Sequence, residues 1–302
     1  MNYIGIDIGG TNIKIGVLDD SDSIVHRNSF STNADSGYET MIGRIKEIIR
    51  NVLKIYPAAK SIGIGVPGVV NYDGIVTISP NLTGWLNVPL QKIISQEFGL
   101  PVALDNDANV AGFAELKLGA GFGEKYFIYV TLGTGVGCTI IADGKPFRGN
   151  GGGAGEIGHL IIDAHSKDKF ESKSFRIGVM EEFCGRSQII QRAKLLLKNY
   201  PKSELNDIHD FDVSQISEAA YKFDAAAIEC LKETGYYLGL GLASAMNLLD
   251  IPLVILGGGI SESHPVLLDS TLDTIRRRAL PGIAKNAELR KARYLKDSGL
   301  IG

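Results

Sequence analysis

Three cysteines in 302 residues are too few and too scattered to staple this chain. Cys138, Cys184 and Cys230 are odd in number and far apart, which excludes a disulfide framework and suits a reducing compartment. Charge of one sign is equally scarce, with 31 Lys and Arg against 34 Asp and Glu, a net charge of −3 and no long basic run. A nucleic-acid surface needs clustered cations that displace counterions, so no such partner is expected. No stretch comes near the roughly 20 apolar residues of a membrane span. The first residues, Met1-Asn2-Tyr3-Ile4-Gly5-Ile6-Asp7, enter an apolar strand at once and lack the basic start and cleavage site of a secretory signal. The expectation is a cytoplasmic protein with no membrane partner.

What is present points to a packed α/β protein. Hydrophobic residues make up 44% and charged residues 22%, enough for a sizeable core. The length is about twice a common domain length of roughly 150, so two domains are expected. Tyr3–Ile6, Lys14–Leu18 and Ile24–Phe30 read as strands joined by turn formers. Apolar residues then recur at helical spacing over Tyr38–Tyr56, and Pro57 ends that helix. A strand at Ser61–Val66, a Pro/Gly loop, a helix at Leu90–Phe98, a strand at Val102–Leu104 and a helix at Asn109–Leu118 follow. The glycine-rich Gly119–Gly123 marks the domain junction, which gives a small N-terminal domain at 1–118, with about 292–302 as a candidate return segment, and a large domain at 119–291. Beyond the junction the pattern restarts, because Ile8-Gly9-Gly10-Thr11 aligns with Leu132-Gly133-Thr134-Gly135 at an offset of 124. Such an alignment fits two related domains, and it also fits any two hairpins with glycine turns. Later segments are helical at Met180–Asn199, Val213–Phe223 and Ala225–Asp250, and Leu253–Leu256 is an apolar strand.

Three glycine turns follow apolar strands. In the first, Gly9, Gly10 and Thr11 can bring backbone N–H groups and a hydroxyl to phosphate oxygens. Thr134 and Gly135 repeat that chemistry, and Gly257, Gly258 and Gly259 offer bare backbone for a nucleotide to lie against. Asp7, at a strand end, is a candidate to hold a water on Mg²⁺; an ordinary hairpin turn with a structural Asp is the alternative. A P-loop fails, since no glycine stands at the required spacing before Lys-Ser or Lys-Thr. A dinucleotide fingerprint fails too, because Gly133, Gly135 and Gly137 give G-x-G-x-G and open a strand. Leu104-Asp105-Asn106-Asp107-Ala108-Asn109 joins a strand to a helix. Helix capping would explain it. Equally, Asp107 at a strand C-terminus is a candidate base for a sugar hydroxyl, with Asn106 orienting another.

Taken together, Asp7–Lys14 (DIGGTNIK), Gly65–Val69 (GVPGV), Pro80–Pro89 (PNLTGWLNVP), Asn106–Asn109 (NDAN), Thr131–Gly137 (TLGTGVG) and Gly155–His159 (GEIGH) resemble the ROK family of bacterial glucokinases, fructokinases, N-acetylhexosamine kinases and related repressors, with every block in order. The resemblance implies two ribonuclease-H-like domains of the actin-like ATPase type around a central cleft, with MgATP as phosphate donor. It implies Asp107 as base, Asn106, Gly68 and Asn81 as sugar contacts, and Glu156, His159 and Glu181 as partners of the sugar hydroxyls near the anomeric end. It also implies a homodimer, and the PNLTGW block favours glucose. The small domain would carry sugar and phosphate contacts, and the large one ATP, further sugar contacts and dimerisation.

Two departures from the family pattern stand out. A structural zinc is usual there, held by the GEIGH histidine and three cysteines, but the cysteine positions align to Ser172, Ser174 and Val179. Neither hydroxyls nor a valine replace thiolates on Zn²⁺, so no structural zinc is expected, and the segment 161–179 needs another anchor. The last helix is also short, beginning near Asp297. Trp85 suits either a sugar face or a loop anchor. His26, His165, His209 and His264 read as surface residues. A hexose kinase is the leading expectation, with a non-catalytic sugar-binding regulator as the alternative from another class.

Overall fold

The computed structural model describes residues 1–166 and 177–302. It falls into two compact units. The first contains Met1–Gly123, Lys145–Ala154 and Lys296–Gly302, and the second Glu124–Gly144 and Gly155–Leu295. The segment Lys145–Ala154, which the sequence leaves inside the second half, therefore packs with the first.

In the first unit, β1 (Asn2–Ile8), β2 (Asn12–Asp19) and β3 (Ile24–Ser31) form an antiparallel meander. Ile4, Ile6 and Ile8 alternate with smaller or polar residues and are buried, as a strand with one face in a core requires. Helix α1 (Tyr38–Ile55) buries Met41, Ile42, Ile45, Ile48, Ile49 and Val52 along one stripe. It leads to β4 (Ala59–Val66), which lies parallel to β1. Three short strands, β5 (Val69–Val70), β6 (Val76–Ile78) and β7 (Leu86–Val88), form a small antiparallel sheet where the sequence predicts a Pro/Gly loop. Trp85 is only 2% exposed within this unit's core, so it anchors the loop and offers no face to a sugar. After α2 (Leu90–Phe98), β8 (Val102–Asn106) adds parallel to β4 and gives the order β3-β2-β1-β4-β8. Helix α3 (Asp107–Leu118) follows without a loop and begins two residues earlier than the sequence predicts.

The second unit repeats this frame. Strands β9 (Phe127–Leu132) and β10 (Val136–Ala142) pair antiparallel. After the short β11 (Lys145–Pro146) in the first unit, the chain returns to build α4 (Glu181–Cys184), α5 (Arg186–Leu196), α6 (Val213–Tyr221) and α7 (Ala225–Leu249). Strand β12 (Leu253–Gly257) is parallel to β9, α8 (Val266–Arg278) and α9 (Pro281–Ala284) follow, and β13 (Glu288–Lys291) is parallel to β12. The order β10-β9-β12-β13 reproduces β2-β1-β4-β8, so the two glycine turns occupy the same place in two sheets of one topology. Helix α10 (Ser298–Ile301) closes the chain against β1 and α3 in the first unit.

The single helix predicted over Met180–Asn199 is broken. Gly185 is extended (φ −69°, ψ 156°) and separates α4 from α5. A tertiary contact accompanies it: the Arg186 N–H leaves the helix pattern and donates to the Gly133 carbonyl at 3.0 Å, tying the break to the second glycine turn.

Candidate active site

Asp105, Asn106 and Asp107 stand where parallel β8 passes into α3, at the carboxyl edge of the first sheet, a usual place for ligands in open α/β sheets. Asn106 is the N-cap. Its Oδ1 accepts from the N–H groups of Ala108 (2.9 Å) and Asn109 (3.2 Å), while its Nδ2 donates to the Gly68 carbonyl at 2.9 Å. Capping thus falls to Asn106, and the same side chain holds the Gly68 loop. Asp107 occupies the first helical position, partly buried, with Oδ1 accepting from the Ala108 N–H at 2.9 Å. A carboxylate there gains from the positive end of the helix dipole.

Asp7 lies on β1 opposite Lys14, and their side chains pair at 3.2 Å. On its other side the start of α10 comes so close that a methyl on Gly299 would fall 2.6 Å from the Asp7 carboxyl carbon. Beyond it, the turn Gly9-Gly10-Thr11 is fastened by the Gly9 N–H to the Asn12 carbonyl (2.9 Å) and by the Thr32 hydroxyl to the Gly9 carbonyl (2.6 Å), which leaves Gly10 and Thr11 exposed. Asn81 is exposed beside Gly10. The first unit therefore brings Asp7, the first turn and Asn81 into one neighbourhood, and joins Gly68 directly to Asn106.

In the second unit the turn Gly133-Thr134-Gly135 is approached by Glu181 from α4, whose Oε2 accepts from the Val136 N–H at 2.9 Å. A methyl on Gly135 would stand 2.3 Å from that oxygen, so the residue type at 135 is what admits the carboxylate. Gly158 packs against the Val136 carbonyl, which carries the Glu156–His159 turn to the same place; Glu156 Oε2 and His159 Nε2 are 3.5 Å apart and half-exposed. Gly257 ends β12 and Gly258 has φ +79°, with a Cβ there falling 2.2 Å from the Leu132 carbonyl, so only glycine lets this backbone cross the end of β9. Gly259 faces open space. The two glycine turns of this unit sit side by side on adjacent parallel strand ends, with Glu156, His159 and Glu181 around the first.

Among the described residues, no group of three His, Cys, Asp or Glu side chains is placed to hold a metal ion. Ser172 and Ser174 lie outside the described residues. Val179 is buried and forms an isolated antiparallel bridge with Ile161. Cys184 is buried with its thiol toward the Thr234 carbonyl (3.7 Å), and burial pushes it up to about 12, so it stays a neutral thiol at neutral pH. The stem is closed by backbone bonds instead: Ile162 N–H to the Gly178 carbonyl (2.8 Å) and Met180 N–H to the Leu160 carbonyl (2.9 Å). Asp163 and His165 form a local turn in which Asp163 Oδ1 accepts from the His165 N–H at 3.0 Å.

Two contributors escape sequence reasoning. Arg192 is buried and donates to the Phe183 carbonyl of α4 and to the Thr234 hydroxyl, both at 2.8 Å, so it braces the helix that carries Glu181. Arg148 pairs with Asp105 at 3.1 Å. Their only prior signal was position, Arg148 standing just before the glycine run at 149–153.

The ROK family model matches residues 3–302. A glucokinase of Halalkalibacterium halodurans is 33% identical over 309 aligned positions, covering 99% of this chain and 93% of its own. A xylose repressor of Bacillus spizizenii is 27% identical, covering 99% of this chain and 75% of the repressor. Among solved structures, a ROK family glucokinase from Streptomyces griseus in complex with glucose and AMPPNP superposes with a TM-score of 0.84 at 30% identity, covering 100% of this chain and 97% of that one.

Proposed function

This chain belongs to the ROK family, with the actin-like ATPase fold of its glucokinases, and we propose that it is an ATP-dependent hexose kinase that transfers the γ-phosphoryl group of MgATP to a sugar hydroxyl. Glucose is the acceptor favoured by the glucokinase relatives, with N-acetylhexosamines and fructose as alternatives. The observation that carries the reading is Asp107 at the mouth of α3, with the capping work given to its neighbour Asn106.

In this reading Asp107 takes the proton of the attacking hydroxyl as its oxygen bonds to the γ-phosphorus and the bond to ADP breaks. Asn106, Asn81 and the Gly68 loop are the sugar contacts proposed in the first unit, and Glu156, His159 and Glu181 those proposed in the second. The turns at Gly9–Thr11 and Thr134–Gly135 donate to phosphate oxygens, Asp7 orients a water on the Mg²⁺ that arrives with ATP, and Gly257–Gly259 leaves room for the nucleotide. Phosphoryl transfer relies mostly on such positioning and charge stabilisation. A cytoplasmic homodimer completes the proposal.

A second reading, a sugar-binding regulator without turnover, is favoured by the similarity to a xylose repressor along nearly the whole chain. ADP release with MgATP and a panel of hexoses decides between them. Turnover with one sugar, lost in Asp107→Ala, supports the kinase; tight sugar binding with no ADP release supports the regulator.

A further inference from the structure

The excursion Lys145–Ala154 packs with the first unit, although the strand before it and the turn after it belong to the second. Its one arginine, Arg148, has no part in the chemistry described so far. We propose that Arg148 is a positioning residue that locks Asp105 and the Gly68–Asn71 loop into one frame and thereby sets the pose of Asp107. The proposal rests on the kinase reading.

The guanidinium makes three kinds of contact. Its Nε lies 3.1 Å from Asp105 Oδ2, an ion pair by distance that lacks hydrogen-bond alignment. Its Nη2 donates to the Val70 carbonyl at 2.9 Å and reaches the Asn71 carbonyl at 3.4 Å. Its Cζ lies over the Tyr72 ring, 4.9 Å from the centroid, and the Tyr72 hydroxyl donates back to the Gly149 carbonyl at 2.6 Å. The backbones come this close because position 152 is glycine, where a Cβ would fall 1.9 Å from the Val70 carbonyl. Asp105 uses its other oxygen on the Asn106 N–H (2.7 Å) and on Asn109 Nδ2 (3.0 Å), residues on either side of Asp107. The Gly68–Asn71 loop is thus held at both ends, by Asn106 at Gly68 and by Arg148 at Val70 and Asn71.

Side-chain exposure of 20% for Arg148 and 23% for Asp105 means partial screening by water, so the pair adds little to stability. What it adds is geometry. A planar fork can serve a carboxylate, two carbonyls and an aromatic face at once, which an ammonium cannot. Small errors in the placement of a base carry large penalties in rate.

The test compares full-length Arg148→Ala, Arg148→Lys and Asp105→Asn with the parent, by ADP release at saturating MgATP and sugar and by amide exchange over 104–110. The expected result for Arg148→Ala is a fall in kcat on the order of 10²-fold, an unchanged KM for MgATP, and faster exchange at Ala108 and Asn109. Lysine restores part of the loss, and adding Asp105→Asn to Arg148→Ala costs little more, as for residues acting as one unit. A parental kcat in Arg148→Ala with only a lowered Tm assigns the residue to structure alone and overturns the proposal. Should Arg148→Ala not fold, full activity in Asp105→Asn overturns it from the other side of the pair. Should the parent turn over no hexose, the kinase reading fails separately, and unchanged exchange at Ala108 and Asn109 in Arg148→Ala then sinks the positioning role.

Discussion

In the first sheet the acid beside the glycine turn stands on the strand; in the second it is brought in from a helix. One pair before the turn, β1 and β2 set Asp7 opposite Lys14, whereas β9 and β10 set Thr131 opposite Gly137. The first turn has an ion pair beside it, with its tip exposed. The second has Thr131 and Gly137 at the matching positions, and Glu181 of α4 bonded to the Val136 amide. The comparison teaches that the frame of strands is duplicated while the charges are not. Backbone topology repeats because a hairpin followed by a parallel strand buries the same apolar faces in both units; the polar side chains at its open edge are set independently by each unit's task.

The hardest blow to this division of labour is Asp107→Ala. If the first unit holds the base, kcat falls by ~10²–10⁴ while sugar affinity persists, since general-base catalysis is worth about that much. Steady-state kinetics alongside equilibrium sugar binding give both numbers. A variant that keeps parental kcat removes the base from the first unit and leaves the comparison without a chemical meaning.

Glu181→Gln probes the other side. An amide oxygen still accepts from Val136, but the charge is gone, so the expected change is a rise of about 10-fold or more in the KM for sugar with kcat largely kept, the signature of binding lost equally from ground and transition states. Gly135→Ala tests the same contact through the backbone, because its methyl would stand 2.3 Å from Glu181 Oε2 and must move the carboxylate. Its KM should rise by a smaller factor, and the double variant should show less than the sum of the two effects, since both act on one contact. Equal losses in kcat from Glu181→Gln and Asp107→Ala would erase the proposed split between binding and chemistry.

Much of this frame was legible from residue spacing. Strands β1, β2, β3 and β4 and helices α1, α2, α6 and α7 fall within a few residues of expectation, because long apolar periods have one economical folding solution. Strands β5 to β7 are two or three residues each, too short to show a period. The apolar spacing of Met180–Asn199 runs through the break at Gly185, and the bond that accompanies it, from Arg186 to Gly133, reaches 53 residues back. Arg148 and Asp105 likewise pair across 43 positions. The bond from Asn106 to the Gly68 carbonyl joins two segments 38 positions apart, which spacing along the chain does not reveal. The buried position of Trp85 turns on packing that no local pattern encodes.

The smallest expected effect concerns acid stability, to which each unit contributes a carboxylate held by basic side chains. In the first, Lys46 and then Arg50 hold Glu97 below the usual carboxylate range. In the second, the Arg186 guanidinium grips both oxygens of Asp212 at 2.7 Å and lowers it in the same sense. A depressed folded-state value means that the stabilisation is present above the unfolded-state value, near pH 4, and is lost as pH falls through the folded one. Both sites face water, so the slope of Tm with pH should be shallow. Asp212 has a second duty, since it caps α6 in a capping box with Gln215. Tm followed from about pH 6 to pH 3 should therefore flatten more in Asp212→Asn than in Glu97→Gln, because only the former couples its charge to a helix start. Identical curves for the two variants and the parent would mean that these two clamps are as strong in the unfolded chain as in the fold.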